Sequence, residues 1–135
     1  MKSVEKMLKK AATTVRDQVL NDPRYPVSKI AGRLRPYLQV LADQFNPVSV
    51  ILFGSYAHGE PDEHSDIDLL IISRDEETTP LKQRVKIREA WWKMPRTERL
   101  LPFDLVVVSP VEHERRLAHA AGFYDAIAHD GLRLL

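Results

Sequence analysis

The chain has 135 residues, 44% apolar and 29% charged, the balance of one soluble globular domain rather than a disordered segment. It contains no cysteine, which excludes disulfides, zinc–thiolate centres and thiol catalysis, and no apolar run approaches the roughly 20 residues of a membrane helix. A net charge of +1 conceals a segregation: nine Lys/Arg against three acids in residues 1–40, eight acids against Arg74 alone in 57–79, and seven basic residues against Glu89 and Glu98 in 80–99. Basic flanks around an acidic centre suit a cation site framed by surfaces that attract phosphate or an acidic partner, and equally suit solvated helix faces. The start, Met1-Lys2-Ser3-Val4-Glu5-Lys6, lacks the hydrophobic core of a signal peptide, so a cytoplasmic location is expected.

Met7, Leu8, Ala11, Ala12, Val15 and Val19 fall at three- and four-residue spacings and predict an amphipathic helix over 4–20, with Lys6, Lys9, Lys10 and Arg16 outside its stripe. After the turn residues 21–26, Ser28 is a candidate cap for a second helix running to Gln44, bent at Pro36, with Ile30, Leu34, Leu38 and Leu41 on one face. Asn46-Pro47 ends it and launches a buried strand over 48–53. A short helix from Ser55 is expected to stop on a left-handed Gly59, and an acidic loop leads to a second strand over 66–72. Residues 81–93 predict a helix with Leu81, Val85, the Arg88 stem and Trp92 along its stripe, and one of Trp91 and Trp92 packed on the core. A third strand over 103–108, a last helix over about 111–129 and a small terminal strand over 132–135 complete an α+β fold: a small mixed β-sheet flanked by helices. No repeat marks a second domain; residues 1–27 read as an N-terminal extension to a domain spanning 28–135.

Gly54-Ser55 stops the first strand abruptly. Glycine allows close backbone approach to a ligand, and a serine opening a helix leaves free N–H groups facing an anion, which makes a candidate phosphate seat. Asp66 and Asp68, two residues apart at a strand start, share one face with Ile67 on the other. Asp104 enters a Val-rich strand, where a buried and unpaired acid is costly. If the second and third strands are neighbours, the three carboxylates meet and need cations between them, for which Mg2+ is the natural occupant because it takes carboxylate, water and phosphate oxygens. Two such ions clamping a triphosphate make a nucleotidyl-transfer site, with Asp66 and Asp68 bridging the ions and Asp104 on the side of the attacking hydroxyl.

Gly54-Ser55, Asp66-x-Asp68 ten residues on, and Asp104 on a later strand resemble the DNA polymerase beta-type nucleotidyltransferase superfamily, and within it the minimal nucleotidyltransferases found as antitoxins of HEPN/MNT toxin–antitoxin pairs. The stretches 51–60, 65–71 and 103–106 carry the match. The resemblance implies the polymerase beta-like fold, two Mg2+ ions, ATP as substrate, and AMP transfer to a hydroxyl, which in such antitoxins is a tyrosine of the HEPN ribonuclease. It further implies nucleotide contacts from Gly54, Ser55 and Ser65 and a HEPN-type protein partner; no membrane and no direct nucleic-acid binding are expected. Alternatives are a small-molecule acceptor, or an antitoxin that acts by covering its partner without catalysis. No P-loop or EF-hand spacing occurs, and of the scattered histidines only His64 stands near the acids as a candidate ligand.

Overall fold

A computed structural model describes residues 13–119 and 122–135. Its scaffold is a four-stranded sheet built from β1 (Ser49–Phe53), β2 (Ile67–Ile72), β3 (Phe103–Val108) and β4 (Leu132–Arg133), in the order β3-β2-β1-β4. β1 runs antiparallel to both β2 and β4, whereas β2 and β3 are parallel, so the sheet is mixed as expected.

Alternation along the strands sorts their side chains between two layers. Val50, Leu52, Ile67, Leu69, Ile71, Phe103, Leu105 and Val107 enter the larger core. This core lies against helix α2 (Ala31–Val40) and helix α4 (Pro80–Lys93), which contribute Leu34, Tyr37, Leu38, Ile87 and Trp91. Leu70, Ile72 and Val108 face the other way and pack with Tyr124 and Ile127 of helix α6 (Phe123–Asp130). Asp68 and Asp104, at even positions of β2 and β3, belong to this second face.

Several elements depart from the sequence expectation. Most of the helix predicted over 4–20 lies outside the described residues; within them only α1, Asp17–Leu20, is helical. Residues 13–16 are non-helical because their polar groups find distant partners: the Thr13 amide donates to Asn46 Oδ1 (3.0 Å) and the Arg16 amide to the Leu134 carbonyl (2.8 Å). Leu20 and Val27 are fully buried in the larger core.

Ser28 does not cap the second helix. It lies inside a 3-10 helix, Pro26–Ile30, that leads into α2, and its hydroxyl donates to the Tyr25 carbonyl. Pro36 sits within α2, which continues through a π-helical turn, Leu41–Phe45, to a left-handed Asn46. α3 is a single turn, Ser55–His58; Gly59 after it is extended rather than left-handed. Its glycine requirement is steric, since a Cβ there would come within 2.8 Å of Ser55 Cα.

The stripe predicted on α4 is inverted. Gln83, Ile87 and Trp91 face inward, and Leu81, Val85 and Trp92 stand exposed. Trp91 wins the core because its ring packs with Phe103 and Tyr37 and its indole N–H donates to the Tyr37 carbonyl (3.1 Å). Gln83 is buried at no polar cost, as its amide donates to the carbonyls of Asp75 and Thr78 and so holds the loop before α4. The last predicted helix is two: α5 (Pro110–Ala118), capped by the Ser109 hydroxyl, and α6.

Candidate active site

β1 ends at Phe53, whose register partner on β2 is Asp68, whose partner on β3 is Asp104. Three consecutive strands therefore set Phe53, Asp68 and Asp104 in one row across the sheet, on the face covered by α6. Gly54 follows Phe53 with φ +78°, a conformation that side chains disfavour, and packs so closely on the Asp68 carboxylate that a Cβ would collide with it. α3 then begins at Ser55, and the amides of Ala57 and His58 return to the Gly54 carbonyl.

These residues open on a cleft of about 540 Å3 lined by Gly54, Ser55, Asp68 and Asp104 on one side and by Ala126, Ile127 and Asp130 of α6 on another. The structure thus brings together four of the six residues that the sequence marks. Asp66 is exposed one residue before β2 and acts on Asp68 through its charge. Ser65 is engaged in the preceding turn: its Oγ accepts from the Asp62 amide at 2.9 Å.

Burial, then the charge of Asp104, then that of Asp66, pushes the Asp68 carboxyl above the usual carboxylate range. Asp104 is exposed, so the cost expected for a buried acid falls instead on half-buried Asp68. Among the described residues no three His, Cys, Asp or Glu side chains form a ready-made metal cage. The donors present fit a hard divalent ion all the same. Facing carboxylates with no sulfur donor suit Mg2+, which draws its remaining ligands from water and substrate phosphate and whose charge would offset the burial and repulsion that raise Asp68.

Sequence reasoning missed the α6 wall. Its residues lie far along the chain and carry no spacing signature beyond Tyr124 and Ile127, three apart on the packed side. The histidine it singled out is not the one that borders the cleft. His64 points to Glu63 at the surface, while His58 lines the cleft, its ring edge-on to Tyr25.

Comparison with known proteins places this geometry in a family. Residues 34–131 match the model of the nucleotidyltransferase domain. Three proteins of Methanocaldococcus jannaschii, each named "Putative protein adenylyltransferase", are similar. One is 33% identical over 86 residues, covering 63% of this chain and 76% of the relative. The others are 44% and 40% identical over 45 residues, a third of this chain. The chain thus spans less than half the length of those two, 45% and 46%. A search of solved structures found no significant match. The family match covers most of the chain, including Gly54, Asp68 and Asp104, and the protein belongs to the nucleotidyltransferase domain family, with a polymerase beta-like fold.

Proposed function

We propose that the protein moves AMP from ATP to a hydroxyl of a partner protein, a tyrosine of a HEPN-type toxin, and so acts as an antitoxin by adenylylation. The observation that carries the transfer chemistry is the facing of Asp68 and Asp104 beside the Gly54–Ser55 turn in one cleft. The names of the relatives support a protein as acceptor.

In this reading the Gly54–Ser55 turn receives the triphosphate, and Asp66, Asp68 and Asp104 hold two Mg2+ ions. Bound Mg2+ supplies neutralisation of phosphate charge and a lowered acceptor pKa. Asp104, at the exposed rim, faces the acceptor and takes up its proton as the hydroxyl oxygen bonds to the α-phosphorus. The bond from the α-phosphorus to the bridging oxygen breaks, and pyrophosphate leaves. Ser65 steadies the turn that presents Asp66, through its bond to Asp62.

Incubation with ATP labelled at the α-phosphate, Mg2+ and the protein encoded beside it tests the proposal. Label on a tyrosine of that neighbour supports it. Neutralisation of the neighbour without label, unchanged in Asp68→Asn, would replace it with an antitoxin that acts by binding.

A further inference from the structure

Helix α4 carries an apolar stripe on the side turned away from the core. Leu81 is 62% exposed, Val85 48% and Trp92 66%, whereas adjacent Trp91 is 2% exposed. At 100° per residue the three exposed side chains lie within about 40° of one another around the helix axis. Single exposed apolar residues are ordinary; three aligned on one helix, ending in a tryptophan, form a continuous apolar ridge.

The ridge is shaped and held. Val85, Arg88, Glu89, Trp92 and Lys93 border a shallow concavity of about 330 Å3. The Arg96 guanidinium lies over the Trp92 ring, 4.8 Å from its centroid, and donates to the Trp92 carbonyl at 2.8 Å. An indole fixed beneath a guanidinium is the composition of an interface anchor.

Charge selects the occupant. Lys82, Arg84, Lys86, Arg88 and Lys93 surround the stripe on the same helix, against Glu89 alone. A second copy of this chain would bring the same basic rim against it. The chain's own residues 1–12 carry four lysines and one acid, which repel that rim as well. A protein segment with an apolar stripe edged by carboxylates fits both features at once.

We propose that the outer face of α4 is a docking surface for an acidic amphipathic helix of a partner protein. Apolar side chains of that helix enter the concavity between Val85 and Trp92, and its Glu or Asp residues pair with the lysines and arginines on either side. The surface lies outside the cleft and does not depend on nucleotidyl transfer.

The test uses two designed helical peptides of about 20 residues, identical in their leucine stripe, one flanked by Glu and one by Lys. Binding to the full chain is followed by calorimetry. The Glu-flanked peptide is expected to bind at least about tenfold tighter than its Lys-flanked counterpart, and Val85→Glu to weaken it at least about tenfold. Its affinity should fall several-fold between about 0.1 and 0.5 M salt. Trp92→Ala is the second variant should Val85→Glu fail to fold, and thermal midpoints check both. Absence of binding, equal binding of the two peptides, or indifference to both variants would overturn the proposal. So would a concentration-dependent dimer in sedimentation that Val85→Glu dissolves, which would assign the face to a second copy.

Discussion

Asp68 and Asp104 stand directly opposite each other across the parallel pair of β2 and β3, close enough that, after burial, the like charge of Asp104 is the main influence holding the Asp68 carboxyl up. Asp68→Asn removes one of those charges while keeping the shape that Gly54 packs against. The variant should fold with an unchanged or raised thermal midpoint and lose nucleotidyl transfer by at least about a hundredfold, the scale seen when one group that stabilises a transition state is deleted. Calorimetry together with label transfer from α-labelled ATP separates the two effects.

The same pair makes stability depend on pH in an unusual sense. Asp68 has its carboxyl raised in the folded chain by burial and by Asp104 and Asp66, so between the ordinary aspartate value of about 3.9 and the raised folded value the native state binds more proton than the unfolded one. Asp68 therefore lowers stability as pH rises through that window, and the penalty stays constant above it. Thermal midpoints in EDTA should show this component in the wild-type protein and not in Asp68→Asn. Added Mg2+ should raise the midpoint at pH 7 by more than at pH 4.

Two glycines respond in opposite directions to alanine. At Gly54 the backbone has φ +78° and the new Cβ meets the Asp68 carboxylate, so Gly54→Ala should cost about 1–3 kcal/mol and displace Asp68 as well. Gly32, inside α2, has open space where a Cβ would go. Gly32→Ala should stabilise by about 0.5–1 kcal/mol through helix propensity and leave transfer intact. Urea midpoints give both signs.

The neighbouring tryptophans separate in the same way. Trp91→Ala removes a buried ring packed on Phe103 and Tyr37, together with its indole hydrogen bond to the Tyr37 carbonyl, an expected loss of about 3–5 kcal/mol. Trp92→Ala should fall within about 0.5 kcal/mol of wild type. Denaturant titration checks the contrast, and the emission that survives in Trp92→Ala should be that of a buried indole.

Strands were legible in the sequence because short β-branched runs bounded by turn residues have few alternatives. The bounds expected for 103–108 match, and those for the first two strands differ by one residue. Gly54, Ser55, Asp68 and Asp104 could be expected to share one cleft because they stand at strand ends, where sequence spacing translates into spatial spacing. Which face those ends would present, and the parallel pairing that joins Asp68 to Asp104, needed the fold.

Helices were less legible wherever the apolar pattern supported two answers. On α4 the Leu81–Val85–Trp92 stripe is the more apolar one, yet the core takes Gln83, Ile87 and Trp91, because Gln83 can satisfy its amide on the loop and Trp91 can reach Tyr37. Residues 13–16 have helical spacing, yet long-range bonds to Asn46 and Leu134 claim their amides. Tertiary partners far along the chain decided both cases, and no local window contains them. The α6 side of the cleft was hidden for the same reason.

β2 is paired on both edges from Asp68 to Ile72, antiparallel to β1 and parallel to β3, and at Ile67 on the β3 edge. Such a strand can accept new side chains far more readily than a change of length. Deleting or inserting one residue between positions 67 and 72 would turn every following side chain over, exchanging Leu69 and Ile71 with Leu70 and Ile72 between the two layers. Drift in this region of the molecule is therefore confined to substitution, while the acidic loop ahead of Asp66, anchored by little more than the Asp62–Ser65 turn, is where insertions can accumulate without moving the row of carboxylates.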